Sequence, residues 1–317
     1  MNKFDNLKSL LDKHHYPVIF FDMWGVLRDA NFYPGALDLL VDLRARGIKI
    51  YIVSNTPDTE SDKIHSCKKK HEFLRGVHYD EFLAAGEVLR LKFARDRMPR
   101  GFRRYYNFGI PYPDFQRGAA HPARETKNLD DADFIYAGYP ILTSADFDPK
   151  KINMSKLQLA EPGTDWYLTT DIELLRPQIK KYIAAKIPIV IANPDKTVPL
   201  GDKDYIQQGS IGDEFRKFGI PVHEYGKPHK NMFDMAMEKL ALNGNKVAPH
   251  EILMVDDTLE TGGLFAARHG LSFAWITGGN GITGQRVRDG VTLDGLLASA
   301  RKQNKKIRPK YLVTVAV

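Results

Sequence analysis

Four groups of chemically reactive residues in this chain each follow a short apolar run. They are Asp22 after Val18–Phe21, Ser54–Thr56 after Ile48–Val53, Lys227 after Val222–Tyr225, and Asp256 with Asp257 after Ile252–Val255. Carboxylates on separate strands can share Mg²⁺, which prefers oxygen ligands and the oxygens of a substrate phosphate. A lysine and a hydroxyl group can neutralise and orient the remaining phosphoryl oxygens. The ordered set therefore indicates phosphoryl chemistry at a metal ion, with Asp22 as a candidate nucleophile or metal ligand.

Structural roles compete with these interpretations at individual positions. Asp22 could cap a turn before Gly25, and Ser54–Thr56 could form an ordinary helix N-cap, which these residue types favour. His229 either positions a substrate or only begins the helix that follows Lys227. Because no group is specific alone, the interpretation depends on whether the rest of the chain supplies partners.

The elements that must position these residues are predicted to be parallel strands. A short apolar run that ends in a turn signal is typical of a buried strand in a parallel sheet. A helix is predicted after Pro34–Gly35, so Val18–Phe21 and Ile48–Val53 form a right-handed β-α-β unit. Ligands of open α/β sheets bind outside the carboxyl ends of the strands. We therefore expect Asp22 and Ser54 at the same edge of one sheet.

Local patterns predict further elements. The spacing of the apolar residues from Phe4 to Leu11 predicts an amphipathic N-terminal helix, and Thr170 is predicted to cap a later helix that contains Pro177. Other predicted helices and strands cover Glu87–Arg97, Arg103–Phe108, Phe134–Gly138, Ile187–Ala192, Asn231–Leu242, Glu260–His269, Phe273–Ile276 and Tyr311–Val317. The segment Thr143–Asp165 is irregular and polar, and no element is predicted there.

The composition sets limits on the class of protein. A chain of 317 residues with 43% hydrophobic residues is long enough for two domains with real cores. The formal net charge of +7 suits an acidic or phosphorylated substrate, and no motif of a nucleic-acid-binding module is present. Cys67 is the only cysteine, and no signal peptide or membrane span is recognisable. We expect a cytoplasmic protein without specific nucleic-acid or membrane partners, and a homo-oligomer stays open.

The four groups, taken in order, resemble the four motifs of the haloacid dehalogenase (HAD) superfamily, and within it the class IIA, NagD-like, phosphatases. The matching segments are Phe21–Leu27 for motif I, Ser54–Thr56 for motif II, Gly226–His229 for motif III and Asp256–Thr261 for motif IV, with Ala192–Asp195 and Thr277–Gly279 as further matches. The resemblance implies an α/β fold, in which a doubly wound parallel-sheet core is interrupted by an inserted α/β cap domain. We place the core in residues 1–100 and 206–317 and the cap in residues 101–205.

The resemblance also implies roles for the site residues. Asp22 would attack the phosphorus atom of a small phosphorylated metabolite and form an aspartyl phosphate, and Lys227 would neutralise Asp22 and the phosphate. The implied phosphate- and substrate-binding residues are Ser54, Asn55, Thr56, Asn193 and His229. The implied ligands of Mg²⁺ are Asp22, the main-chain carbonyl of Trp24, Asp257 and Asp256.

Two positions depart from the motifs of the family. Trp24 stands where motif I usually has a second Asp that acts as general acid and base, and an indole cannot usefully transfer a proton. Motif IV usually reads Gly-Asp, three residues, Thr-Asp. With Thr261 aligned, Asp256 replaces the glycine and Gly262 replaces the last acid.

Three functions stay open at this stage. The first is a Mg²⁺-dependent phosphatase of low activity. The second is a degenerate relative that binds a phosphorylated ligand or a partner without turnover. The third is a hydrolase of a substrate that needs no general acid, such as an acyl phosphate, a phosphonate or a haloacid. The retained Asp257 argues against a metal-free dehalogenase.

Overall fold

The protein consists of two compact α/β units. The computed structural model describes residues 1–29, 31–57, 73–95, 99, 101–109, 123–143, 166–200 and 203–316. The first unit comprises the described residues within 1–55, 59–88 and 226–317, and the second comprises those within 56–58 and 89–225. The α/β fold class predicted from the sequence is therefore confirmed, and Cys67 lies outside the described residues.

The first unit is built on a seven-stranded sheet in which all neighbouring strands are parallel. In spatial order the strands are β1 (Asn2–Asn6), β16 (Tyr311–Val315), β15 (Ser272–Ile276), β14 (Ile252–Asp256), β2 (Val18–Phe21), β3 (Lys49–Ser54) and β4 (Glu81–Ala84). All residues of β2 and β14 are buried, as expected for central strands of a parallel sheet that is covered on both faces. The predicted strands before Asp22 and Asp257 are thus confirmed.

Helices follow these strands in the chain. They are α1 (Leu7–Leu11), α2 (Ala36–Ala45), α3 (Ala85–Ala94), α6 (Lys230–Leu242), α7 (Leu264–His269), α8 (Ile282–Arg288) and α9 (Leu293–Gln303), with a π-helical turn at Leu259–Gly263. Helix α3 begins in the first unit, and its residues from 89 onward belong to the second. Helix α2 lies between β2 and β3 in the chain, and its buried residues Leu39, Leu40 and Leu43 belong to the same core as Ile50 and Ile52 of β3. This confirms the predicted helix between two parallel strands.

The second unit contains a five-stranded sheet, also with parallel neighbours. In spatial order its strands are β13 (Val222–Glu224), β10 (Ile189–Ile191), β7 (Phe134–Ala137), β5 (Arg104–Phe108) and β6 (Arg124–Glu125). Helices α4 (Ile172–Ala184) and α5 (Gln208–Lys217) bury apolar residues in the core of this unit. Two antiparallel pairs complete it: β8 (Ile141–Thr143) with β9 (Trp166–Leu168), and β11 (Thr197–Leu200) with β12 (Lys203–Ile206).

The predicted cap boundaries at residues 101 and 205 both fall inside the second unit, which extends from 89 to 225. At the later boundary, β13 pairs with β10, with Val222 opposite Ile189. At the earlier boundary, the ring of Phe93 packs at 5.7 Å from that of Phe134 in β7. Long-range pairing of this kind leaves no local mark in the sequence.

The predicted N-terminal helix is wrong in its first half. Residues Asn2–Asn6 form β1, in which Phe4 lies opposite Val313 of β16. Helix α1 begins only at Leu7, because the side chain of Asn6 accepts a hydrogen bond from the main-chain N–H of Ser9 at 2.9 Å. A few apolar residues at helical spacing do not exclude a strand.

Two other local predictions need correction or fall outside the described chain. Asp171, and not Thr170, caps α4 by accepting the N–H of Glu173 at 2.9 Å, and Pro177 lies inside this helix. Residues 144–165, most of the segment without a predicted element, lie outside the described residues. In the described ranges, none of the helices is long and apolar enough to span a membrane.

Candidate active site

Asp22 lies directly after β2, at the carboxyl edge of the seven-stranded sheet. Its main-chain N–H donates to the carbonyl oxygen of Val255 at 2.9 Å, so the backbone of Asp22 is fixed against β14. Its side chain is 14% exposed, and Oδ1 lies 2.8 Å from Nζ of Lys227. A rigid backbone and a partly accessible carboxylate are what a nucleophile at this edge requires.

Lys227 is almost fully buried and lies between two carboxylates. Its Nζ is 2.8 Å from Oδ1 of Asp22 and 2.7 Å from Oδ2 of Asp256. Burial would lower the pKa of the Lys227 ammonium, but Asp22 and Asp256 together raise it above its ordinary value. Lys227 is therefore a fixed positive charge in contact with the candidate nucleophile.

The structure corrects how Lys227 reaches the site. The strand before it, β13, belongs to the sheet of the second unit, so Lys227 does not extend from a strand of the sheet that carries Asp22. Instead, Asn55 holds its main chain from both sides. Oδ1 of Asn55 accepts the N–H of Lys227 at 2.6 Å, and Nδ2 donates to the Lys227 carbonyl at 3.0 Å. Asn55 was predicted to bind phosphate, whereas both of its polar atoms engage this loop.

Asp256 and Asp257 are adjacent in the chain but have different partners. Asp256, the last residue of β14, accepts the N–H of Thr258 at 2.8 Å on Oδ1 and contacts Lys227 through Oδ2. Asp257 accepts the hydroxyl of Thr258 at 3.2 Å on Oδ1. Its Oδ2 is buried and meets no hydrogen-bond donor at normal geometry among the described residues.

Burial raises the pKa of the Asp257 carboxyl well above its usual range, and the charges of Asp256 and Asp22 raise it further, while the main-chain N–H of Ile282 and the hydroxyl of Thr258 act to lower it. Two glycines form a tight cradle around this carboxylate. A Cβ atom on Gly281 would lie 2.2 Å from Oδ2 of Asp257, and one on Gly25 would lie 2.8 Å away. Gly25 also has a φ of 78°, a conformation that favours glycine.

The main chain of Asp257 is held by two buried residues that the sequence analysis missed. The indole Nε1 of Trp275 donates to the Asp257 carbonyl at 3.1 Å and lies 3.0 Å from Oγ1 of Thr283. The hydroxyl of Thr283 donates to the same carbonyl. In the sequence, the only signal for this role is that Trp275 and Thr283 carry polar atoms. Both residues otherwise have the pattern of core positions.

The three carboxylates could share a cation. One oxygen from each of Asp22, Asp256 and Asp257 lies within 4.8 Å of the others. Lys227 compensates one of these three negative charges, and a divalent ion would compensate the other two. Buried charges need such compensation. The oxygen-only donor set and the unsatisfied Oδ2 of Asp257 both fit a hard divalent cation.

The other predicted site residues are distributed over both units. Ser54 is buried at the end of β3, and the buried Nε1 of Trp24 has no hydrogen-bond partner within the described part of the chain. His229 precedes α6, and its side chain makes no capping hydrogen bond. Asn193 belongs to the second unit, where its Oδ1 accepts the N–H of Asp195 at 3.0 Å. Thr56 is also grouped with the second unit.

Two protein-family models match this chain. A haloacid dehalogenase-like hydrolase family model matches residues 19–101, and a HAD-hydrolase-like model matches residues 224–314. These two ranges contain Asp22, Ser54, Lys227, Asp256 and Asp257. A search of curated proteins gave no match.

Several solved structures share the fold. A haloacid dehalogenase-like hydrolase from Brucella suis 1330 aligns with a TM-score of 0.71 and 21% identity over 99% of both chains. A possible sugar phosphatase from Cytophaga hutchinsonii ATCC 33406 aligns with a TM-score of 0.64 and 21% identity over 100% of this chain and 99% of the other. For a p-nitrophenyl phosphatase from Archaeoglobus fulgidus the TM-score is 0.60, with 17% identity over 95% and 97% of the two chains.

At these identities the structural neighbours show the fold alone, but the two family models match both parts of the first unit that carry the site. The chain therefore belongs to the haloacid dehalogenase superfamily of hydrolases, as its resemblance to the class IIA members predicts.

Proposed function

We propose that the protein is a Mg²⁺-dependent phosphohydrolase in which Asp22 attacks the phosphorus atom of a small phosphorylated metabolite. The observation that carries the proposal is the contact of the buried Lys227 ammonium with Asp22 at 2.8 Å, beside two further acids that could share a cation. Phosphoryl transfer requires a positioned nucleophile and positive charge around the transferred group. Asp22 would supply the nucleophile, and Lys227 would supply part of the positive charge.

In the proposed reaction an oxygen of Asp22 bonds to phosphorus while the bond from phosphorus to the leaving oxygen breaks. This gives an aspartyl phosphate and the leaving group as an anion. Water then attacks the phosphorus atom, the bond to Asp22 breaks, and phosphate is released. Throughout, Lys227 keeps the Asp22 carboxylate oriented and offsets negative charge on the phosphoryl oxygens.

The proposed ligands of the ion are Asp22, Asp257 and the main-chain carbonyl of Trp24, with Asp256 as a further candidate. Mg²⁺ would supply positive charge to the phosphoryl oxygens. Support comes from the glycine-lined carboxylate of Asp257, whose Oδ2 has no hydrogen-bond donor at normal geometry among the described residues. The proposed phosphate- and substrate-binding residues are Ser54, Thr56, Asn193 and His229, while Asn55 is proposed to position Lys227.

Trp24 points to the kind of leaving group. Its indole can donate a hydrogen bond but cannot transfer a proton to a departing oxygen. A leaving group that is stable as an anion, such as an acyl or aryl oxygen, needs little proton transfer, whereas a sugar alkoxide needs most of it. We therefore propose preference for activated phosphate esters or anhydrides. The second candidate, binding of a phosphorylated ligand without turnover, is favoured by the same residue.

Hydrolysis of p-nitrophenyl phosphate by the full chain, with Mg²⁺ and with EDTA, tests the proposal. We expect Mg²⁺-dependent release of nitrophenol and a loss of at least about 10³-fold in kcat for Asp22→Asn, because the amide is neither nucleophile nor anionic ligand. Asp5→Asn, on the exposed edge strand β1, is the matched control and should retain the native rate.

If the protein binds Mg²⁺ and orthovanadate but hydrolyses nothing, the phosphohydrolase is ruled out in favour of the second candidate, a protein that binds a phosphorylated ligand without turnover. Near-native turnover by Asp22→Asn would remove Asp22 from the mechanism.

A further inference from the structure

The two outermost strands of the seven-stranded sheet differ in exposure. β4 lies at one end of the sheet, and all of its residues are buried. β1 lies at the other end, and within the described part of the chain it pairs with β16 alone. Its residues Asn2, Lys3 and Asp5 are exposed. The outer side of β1 is therefore open to a further strand, which is the usual property of a sheet edge that nothing covers.

The pairing of β1 with β16 decides which main-chain groups face this open side. The N–H of Asn2 donates to the carbonyl oxygen of Lys310 at 3.4 Å, directly before β16. Because successive residues of a strand direct their main-chain groups to alternate sides, every second residue from Asn2 onward bonds to β16. The N–H and C=O groups of Lys3 and Asp5 therefore point away from β16, to the open side of β1.

Lys3 and Asp5 also carry opposite charges on one face of this strand. They are two residues apart, so their side chains point the same way, and neither has an ion-pair partner among the described residues. If a second β1 runs antiparallel to the first, these residues can lie opposite each other in three ways: lysine against lysine, aspartate against aspartate, or lysine against aspartate. Only the last arrangement places unlike charges across from each other, which favours that register.

We propose that β1 is a self-association surface, on which a second copy of this chain adds its own β1 in antiparallel orientation. Phe4 lies on the two-fold axis, so Lys3 of each copy is opposite Asp5 of the other. Each of these pairs exchanges its main-chain N–H···O bonds in both directions, and its side chains form an ion pair. The residues whose main-chain groups face outward are thus the same residues whose charges match.

The charge pattern identifies a second copy as the occupant. A strand that pairs antiparallel with β1 must present an acid and then a base at the spacing of Asp5 and Lys3, and β1 itself does so when its direction is reversed. A five-residue strand buries far less surface than the roughly 1,600 Å² of a standard interface, so the dimer is weak and depends on concentration. In the alternative, the two charges only protect a monomer from aggregation.

Sedimentation of the full chain from micromolar to submillimolar concentrations tests the proposal. The native chain should pass from monomer to dimer. Lys3→Asp or Asp5→Lys alone places like charges opposite each other at both pairs and should raise the dimer Kd by at least about tenfold. The double exchange, Lys3→Asp with Asp5→Lys, restores unlike pairs and should return Kd to within about threefold of the native value.

Lys246→Asp is the matched control, because it changes the net charge equally in the exposed loop after α6, and it should leave Kd unchanged. A second measurement mixes the two single variants. One chain then presents two acids and the other two lysines, so every pair is unlike and the mixture should dimerise where neither variant does alone. Each variant should keep Tm within about 2 °C of the native value, since the changed side chains are exposed.

A native chain that stays monomeric over this concentration range would overturn the proposal, and so would a dimer that survives both single charge reversals. A mixture of the two variants that does not associate would contradict the register. Asp22 and Lys227 belong to one chain, and sedimentation needs no turnover. The proposed function and this inference therefore stand or fall separately.

Discussion

The two parallel sheets of this protein carry different kinds of side chain at the carboxyl ends of their strands. In the first unit, the carboxyl ends of β2 and β14 present Asp22, Asp256 and Asp257 around the ammonium of Lys227. In the second unit, β10 leads into Asn193, whose amide is engaged by the main chain of Asp195 and lies 3.4 Å from Gln207. Both sheets contain buried strands, and in both all neighbouring strands are parallel.

The difference shows that topology alone does not create a reactive site. A neutral amide can satisfy its hydrogen bonds within its own turn, so it costs little to bury. Clustered carboxylates cannot do this, and they stay ionised together only with a lysine or a cation. The carboxylates of the first unit therefore need compensating positive charge, whereas the amide of Asn193 does not. For this reason we assign the proposed phosphoryl chemistry to the first unit.

The sharpest test within the first unit separates its two adjacent acids. Asp257→Asn should weaken Mg²⁺ binding by about 100-fold, because it removes the carboxylate with the available oxygen. Asp256→Asn, the matched control, should weaken it by less than about tenfold, because both oxygens of Asp256 already accept hydrogen bonds from Thr258 and Lys227. Calorimetric titration of both variants measures the difference. A reversed order would show that the assignment of the two acids is wrong.

The next effect concerns the leaving group. Trp24→Asp should raise kcat/KM for a sugar phosphate by about 10- to 100-fold and for p-nitrophenyl phosphate much less, because a general acid is typically worth about 10²–10⁴-fold where proton transfer is needed. Trp24→Phe keeps an aromatic ring without an acid and should not raise either rate. If the native protein hydrolyses both substrates equally fast, another residue supplies the proton.

The raised pKa of Asp257 predicts how the stability of the metal-free protein depends on pH. The folded state holds this proton more tightly than the unfolded chain. The resulting stabilisation is complete below the unfolded pKa of about 3.9 and is lost as the pH rises through the higher folded pKa. Asp257→Asn should therefore reduce the decline in stability with rising pH and raise Tm in EDTA at neutral pH by a few degrees. Thermal unfolding from acid to neutral pH measures this, and an unchanged profile would contradict it.

The smallest effect is expected in the second unit. Asn193→Ala removes neutral hydrogen bonds, which are worth about 1 kcal/mol each, and should change KM by less than about tenfold while leaving kcat unchanged. Asn128→Ala is the control for general stability, because Oδ1 of Asn128 likewise accepts the main-chain N–H two residues further on in the same unit. A loss in kcat comparable to that of Asp22→Asn would contradict the assignment of catalysis to the strand end at Asp22 and not to the one at Asn193.

Much of the first unit could be predicted from the sequence. Apolar runs such as Val18–Phe21 and Ile252–Val255 identify buried parallel strands, because a strand covered on both faces has no polar side to interrupt the pattern. The acids that follow these runs must then lie at the ligand-binding edge of the sheet. For Asp22 and Asp257 the candidate site follows from local sequence and one general rule of α/β folds.

Other features needed the tertiary structure because they depend on partners far apart in the chain. β13 looks like any short strand, and only its pairing with β10 places it in the second sheet. Glu81 interrupts the apolar pattern of β4, and it is buried there because Arg75 and Asn243 bind its carboxylate. Neither pairing has a local signature.

The same holds for the finest details of the site. Asn55 has the residue type of a cap or a phosphate ligand, and only folding brings it to both main-chain groups of Lys227. The sequence shows an acid at residue 256 and a glycine at residue 262 as two separate departures. Only the packed structure shows that the two residues are neighbours, because the turn after β14 brings residue 262 against the Asp256 side chain, where a Cβ atom at 262 would lie 2.1 Å from Cγ of Asp256.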